Sequence, residues 1–546
     1  MGAASAATTL KNGTADDADV TVALRRISRF LDWIASGCLV LVLLAFAFRR
    51  AWLATHDLAW PYDIDLFRDA AFAQTILDGR FPADAFYSGE QNWYNPFPAF
   101  LVAAIARLFA IEPIQIYAHC GSFIALAIPV AVFILAVKLF GRWTGLAALF
   151  AFMFLGPNDV PPWAAPSYSP WLFANLIALV PCALTITTAL WARENDRNVR
   201  WAICGVLLGT TFLAHTAAAV VAGSIALALG FQRRSPGNVA RRCALVLIPA
   251  FIVSLPLSAT ILFHYGLHVE TQDYIWDETD LRQLGGTLGQ ALTLGNAVAL
   301  GGLVALFRNR NMQAARVALS TWLVVSGLLL VYGYIRQAWP HARLPGLVPP
   351  FHWLFYLRLV RALLLGYGLS EGVRATTAFL ARWWRVKPAV ALTVTLAVLL
   401  MLNQKQYSQR FDFEAARSGS LNTAARPGFA EAISYLRHET PPDAVVLAPP
   451  LEAVIMLGAA ARQTVFIDRL FSNPYVPLEP RADAARSMFA SLEEGQRDTF
   501  IDLAAKYHVS YVLLVDAAPE SLNQLEPSFV KPVFSRGWYT ILRVSP

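Results

Sequence analysis

Between residues 31 and 403 the chain is written as a succession of apolar runs near 20 residues long, the length a helix needs to cross the roughly 30 Å hydrocarbon core of a bilayer. Runs of that length are read at 31–53, 117–140, 143–157, 170–192, 201–214, 215–231, 243–265, 287–307, 316–336, 351–371 and 388–403, which makes about 11 crossings. Composition agrees. Only 15% of residues are charged, where soluble proteins carry about a quarter, and the mean hydropathy is +0.47. The sequence predicts a polytopic α-helical membrane protein.

The basic residues then set the topology, because cytosolic loops gather Lys and Arg. Arg25, Arg26 and Arg29 precede the first run and place the N-terminus in the cytosol, with residues 1–30 as a tail whose polar, small-residue start predicts disorder. Alternate turns hold Lys138 and Arg142, then Arg193, Arg197 and Arg200, then Arg233, Arg234, Arg241 and Arg242, then Arg308, Arg310 and Arg316. The other side receives acidic segments: residues 54–116 carry eight Asp or Glu against three Arg, and residues 266–286 carry five against Arg282 alone. A net charge of +7 distributed between spans, rather than along one stripe, excludes a nucleic-acid partner. The five cysteines lie in or beside apolar runs at spacings that suit neither zinc nor a disulfide framework.

Residues 404–546 change to the composition of a soluble α/β domain, placed outside by the alternation. Strands are predicted at 445–447, 464–467 and 510–515, helices at 482–492 and 496–507, and a terminal hairpin over 530–544. No P-loop, dinucleotide fingerprint or nucleophile elbow occurs there.

The outer loop of residues 54–116, inside the membrane body 31–403, concentrates the chemistry. It contains Asp63-Ile-Asp65, followed by helical spacing from Asp65 to Leu77 that Asp65 is suited to cap, which leaves Asp63 the freer carboxylate. Residues 97–111 are apolar but short and read as a helix lying in the interface. Two carboxylates two residues apart suit general-base catalysis or the binding of a hard divalent cation, Mg or Mn; the alternative is a helix cap beside a solvated acid. No other position suits such a cation, and no cofactor is required. Trp60, Tyr62, Phe86, Tyr87, Trp93 and Tyr94 crowd the loop, either as faces for sugar rings or as an interfacial aromatic belt.

A first span, an acidic motif, Gly79-Arg-Phe-Pro82, and Tyr94-Asn-Pro96 leading into an apolar helix together resemble the GT-C superfamily of membrane glycosyltransferases. The resemblance implies a hexosyl- or pentosyltransferase of the bacterial inner membrane, taking a polyprenyl-phosphate sugar donor on the periplasmic face and a glycan or lipid acceptor. Its catalytic base falls on Asp63 or Asp65, with Asp63 favoured, and Tyr62, Arg68, Trp93 and Tyr94 line the substrate. Leu213-Ala-His215 resembles a Leu-x-His element of the family; an intramembrane His215 otherwise serves packing. Pro350-Phe-His352 to Tyr356 stands where relatives carry an Arg-Phe-x-x-Tyr segment, and this chain has His352 instead. Arg336, His341 and Arg343 are the cations suited to a leaving phosphate, since guanidinium matches phosphate oxygens in pairs. Rival readings are a transporter or flippase of lipid-linked sugars, which predicts internal repeats, a surface-polysaccharide polymerase or ligase, which predicts a late large loop, and a non-catalytic assembly protein of the same fold.

Overall fold

The computed structural model of the protein describes residues 3–156, 160–231, 236–270, 280–283, 293–342, 344, 348–381, 383, 386–410, 413–516 and 529–545. Among the described residues, five helices are long and apolar enough to cross a membrane: Phe30–Thr55, Pro113–Phe140, Ala174–Asn195, Pro236–His264 and Arg310–Ala338. Shorter apolar helices, among them Arg142–Phe154, Asn198–Ala214, Thr216–Phe231, Leu294–Arg308 and Pro388–Gln404, stand beside them. The helix of the first span extends back to Ala3, so the N-terminal segment expected to lack order is helical in backbone, consistent with its alanines and its lack of proline.

Many outward side chains of the bundle are apolar: Phe251, Ile252, Val324, Leu328, Val394 and Leu402 are all exposed. A soluble surface does not carry a belt of this extent; a lipid-facing one does. In lipid, helices associate by close packing rather than by expulsion of water, and small residues let backbones approach. Gly205 and Gly209, four residues apart on Asn198–Ala214, show this against Pro236–Ala259. A Cβ on Gly205 would lie 2.4 Å from the Val246 carbonyl oxygen, and one on Gly209 2.6 Å from that of Ala250. Gly302 and Gly368 meet in the same way between Leu294–Arg308 and Pro350–Leu380.

The first loop folds into two helices. α2 (Ile64–Leu77) is buried along most of its length, and α3 (Phe97–Phe109) exposes Leu108 and Phe109 at its end. The C-terminal region forms a four-stranded sheet in the order β1 (Val445–Leu447), β2 (Val509–Val515), β4 (Tyr539–Val544), β3 (Val530–Arg536), with β1 parallel to β2 and the other pairs antiparallel. Alternation along the strands divides its two faces. Val512 and Leu542 pack under the helices Leu478–Glu493 and Arg497–Tyr507, while Leu513 and Ile541 join a core that includes Leu66, Phe67 and Phe86 of the first loop. The loop and the C-terminal sheet therefore share one core.

The strand expected at 464–467 is not a ladder. Gln463 and Thr464 make single bridges, one to Val445 and one to Tyr87 in the first loop, so they join the sheet to the loop. Thr464 N donates to Phe86 O at 2.6 Å, completing that link.

Candidate active site

α2 begins one residue earlier than the spacing predicts, and this exchanges the roles of the two carboxylates. Asp63, in extended conformation, is the N-cap: its Oδ1 accepts the Asp65 N–H at 2.9 Å. Asp65 is already helical and turns to Arg68, one turn on, at 2.7 Å. The expectation that Asp65 caps the helix is corrected: a residue with helical dihedrals inside the first turn cannot be the cap, whose backbone is extended.

Arg68 organises the face of α2. Its Nε and Nη2 donate to Asp69 Oδ1 at 2.9 and 2.8 Å, and Nη2 also donates to the Tyr94 hydroxyl at 3.0 Å. Its guanidinium carbon sits 4.3 Å from the Tyr94 ring centroid, and Tyr94 in turn stacks on Phe72. With Arg68 6% exposed and Asp69 3%, this is a buried charge cluster whose cation is spent on protein groups rather than on a substrate phosphate. One oxygen of each carboxylate of the Asp63/Asp65 pair is already engaged, by the helix cap and by the Arg68 guanidinium. Among the described residues no group of three or more His, Cys, Asp or Glu is placed to hold a metal ion.

Burial governs the acids. It pushes Asp63 up to about 7, and the neighbouring Asp65 charge adds to the effect. Burial also raises Asp69 to about 6 in spite of Arg68, and lifts the Tyr62 hydroxyl well above its ordinary value. Asp63 is thus a carboxylate of unusual basicity at neutral pH.

Most of the loop aromatics are structural. Phe86 and Tyr87 are fully buried, so neither offers a face to a sugar. Trp60 packs edge-on against Phe429 of the C-terminal region, and Trp93 packs edge-on against Tyr94. Tyr62 lies beside Asp63 with its ring 4.5 Å from that of Trp171.

A second polar cluster lies where the first loop meets the bundle. Asn95 Nδ2 donates to Phe212 O at 2.6 Å, docking the loop on the break between Asn198–Ala214 and Thr216–Phe231. That break is His215, in extended conformation, whose Nδ1 accepts the Ala217 N–H at 3.2 Å. The neutral ring therefore carries its proton on Nε2. His352, on Pro350–Leu380, has its ring 4.4 Å from that of His215, and Tyr356 follows one turn later, fully buried. The His352 Nδ1 and the Tyr356 hydroxyl are buried and have no hydrogen-bond partner among the described residues. The segment 162–173 links the two clusters: Trp171 packs on Tyr62, Trp163 on Phe351, and Ala164 O accepts from Arg358 at 3.0 Å.

Of the cations singled out in the sequence, Arg336 donates to Leu344 O at 3.2 Å, His341 is exposed, and Arg343 lies outside the described residues. The sequence reading passed over Arg358 and Arg361, which sit within an apolar helical run; Arg361 donates to Asn296 and to Leu155 O. It also passed over Asp69, although the i,i+4 spacing from Asp65 puts both acids on the face of α2 that carries Arg68.

Solved structures of similar fold cover most of the chain. The oligosaccharyltransferase of Archaeoglobus fulgidus in its apo form aligns with a TM-score of 0.55 at 12% identity, over 88% of this chain and 69% of that one. ArnT from Cupriavidus metallidurans bound to undecaprenyl phosphate aligns with a TM-score of 0.55 at 13% identity, over 92% and 97%. The arabinofuranosyltransferase AftD from Mycobacteria aligns with a TM-score of 0.55 at 16% identity, over 92% of this chain and 40% of that one. The chain shares its fold with these three proteins. No curated protein matches the sequence. A family model described as a family of unknown function, DUF6541, matches residues 99–533.

Proposed function

The chain belongs to the DUF6541 family, and from its GT-C fold we propose that it is a glycosyltransferase that moves a sugar from a polyprenyl-phosphate donor to an acceptor hydroxyl. The observation that carries this reading is the raised proton affinity of Asp63, held as the N-cap of α2 beside the Asp65–Arg68–Asp69 cluster. A general base works best when its proton affinity lies near the working pH. Asp63 spends Oδ1 on the cap, and its other oxygen takes the acceptor's proton. The acceptor oxygen attacks the anomeric carbon, the bond from that carbon to the phosphate oxygen breaks, and the configuration inverts.

The leaving polyprenyl phosphate departs as an anion and needs hydrogen-bond donors rather than a general acid. The Nε2–H of His215, the His352 ring and the Tyr356 hydroxyl supply neutral donors within the bundle, with Arg358 and Arg361 farther along the same helix. A polyprenyl-phosphate ligand suits this reading, since undecaprenyl phosphate is the molecule bound in the Cupriavidus ArnT structure. By the charge alternation the reaction face is periplasmic, in a bacterial inner membrane, and the acceptor is a glycan or lipid.

The test is transfer from polyprenyl-phosphate sugars in nanodiscs by the wild type and by Asp63→Asn and Asp65→Asn. Wild-type transfer that Asp63→Asn abolishes supports the reading. Movement of labelled lipid across vesicles without any transfer establishes the transporter instead.

A further inference from the structure

The C-terminal region packs on α2 at Gly458, against Phe67, and its segment Asp468–Tyr475 approaches the acidic cluster. Phe471 is its leading residue: the Arg68 guanidinium carbon lies 5.9 Å from the Phe471 ring centroid and 4.3 Å from that of Tyr94. Two rings, from parts of the chain nearly 400 residues apart, thus approach one cation.

The segment is pinned. Asn473 is 1% exposed; its Nδ2 donates to Asp84 Oδ2 at 3.2 Å and to the Tyr265 hydroxyl at 2.9 Å, while its Oδ1 accepts the Tyr475 N–H at 3.0 Å. Ser472 Oγ and the Tyr87 hydroxyl are 2.8 Å apart. Tyr265, at the end of the long helix Pro236–His264, donates to Gln91 O at 2.6 Å and stacks on Tyr475 with ring centroids 4.9 Å apart. Pro474 O accepts the Glu270 N–H at 2.9 Å. Asn473 is therefore the point where the first loop, the end of a membrane helix and the C-terminal sheet are tied together. A buried amide that satisfies an acid, a phenol and a backbone group at once has little freedom to move, and neither do the residues it holds.

We infer that Asn473 is a positioning residue for the site, and that the C-terminal domain takes part in transfer by holding Phe471 against Arg68. Held against both rings, Arg68 keeps both Asp65 and Asp69 paired, and the field those groups place on Asp63 stays constant. Released, Arg68 screens Asp65 less, and Asp63 holds its proton to a higher pH. The inference rests on the proposed role of Asp63, so its test includes a measurement that does not depend on turnover.

Three variants are compared with wild type: Asn473→Ala, which removes the tie; Phe471→Leu, which removes the ring and leaves the tie; and Phe471→Tyr, which keeps a ring. In Asn473→Ala and Phe471→Leu, kcat is expected to fall tenfold or more, with KM for the donor changed less than threefold. The acid limb of the rate–pH profile moves to higher pH, and Phe471→Tyr restores both. Amide hydrogen exchange across residues 64–72 accelerates at least tenfold in the first two variants and stays near wild type in the third. Wild-type kcat and an unmoved acid limb in both Asn473→Ala and Phe471→Leu overturn the inference. If Asp63→Asn shows that the catalytic reading itself is wrong, unchanged exchange across residues 64–72 overturns the positioning role on its own, and accelerated exchange upholds it.

Discussion

Replacing Asp63 separates its two tasks, because asparagine caps a helix as well as aspartate does but cannot take a proton. Asp63→Asn keeps the acceptor for the Asp65 N–H, and Asp63→Ala loses it, at about 1 kcal/mol. Loss of a general base costs roughly 10²- to 10⁴-fold in rate, and both variants should show that loss to a similar degree. Stability runs the other way. The folded protein holds Asp63 at about 7 against an ordinary 3.8, so its contribution is fully present below pH 4 and is lost as the pH rises through 7. Keeping an ionised carboxylate there at pH 8 costs the fold on the order of 4 kcal/mol. Asp63→Asn removes that cost and should melt higher than wild type at pH 8, with the advantage vanishing at pH 4. For the rate, only ionised Asp63 serves, so wild-type kcat/KM should fall tenfold for each pH unit below about 7. Thermal melts in detergent at pH 4 and 8, with transfer rates from pH 5 to 9, measure both halves. An Asp63→Asn protein that transfers sugar at the wild-type rate, or a wild-type profile flat through pH 6, refutes the assignment of the base.

Arg68→Gln leaves the buried Asp69 and the half-buried Asp65 without their cation, and should destabilise by roughly 3–5 kcal/mol in denaturant titration. Arg417→Gln is the contrasting case, since the Arg417–Asp57 pair at 2.6 Å lies at the solvent-facing surface; the same titration should register no resolvable change. Gly205→Leu drives a side chain into the Val246 carbonyl and should abolish the monodisperse peak in size-exclusion chromatography, whereas Gly301→Leu, where a Cβ meets nothing within 4 Å, should leave it intact.

The legible part of this protein is the part a single local rule decides. Bilayer thickness fixes the length of an apolar run whatever lies beside it, so the long spans stand out in the sequence. α2 was likewise visible from its spacing, and only its first residue was misread. Both Asp63 and Asp65 have side chains that cap well, and a preference shared by two neighbours cannot choose between them. The sequence did hold the deciding signal: Arg68 stands at i+3 from Asp65, and an acid with a base one turn ahead on a helix is drawn into a pair rather than a cap.

What no local rule encodes is the docking of residues 463–475 on residues 84–91. Its contacts are long-range, and the residues that make them, Gln463, Ser472, Asn473 and Asp84, show neither helical nor strand periodicity. That docking changes the meaning of the aromatic cluster. Read alone, Phe86 and Tyr87 look like rings waiting for a ligand; with Thr464 bonded to Phe86 O and Ser472 against the Tyr87 hydroxyl, they are the floor of an interdomain core. Aromatic density near an acid is therefore weak evidence for a sugar site until the partner surface is known. Burial of the acid itself is stronger evidence, because an ionised carboxylate out of water costs stability that packing alone gives no reason to retain. Asp84 is the informative comparison. It too is raised, to about 6, but both its oxygens are occupied, by the Phe86 and Tyr87 N–H groups and by Asn473. Its burial is accounted for by the turn it holds, whereas the cap accounts for only one oxygen of Asp63 and leaves the other for the proposed chemistry.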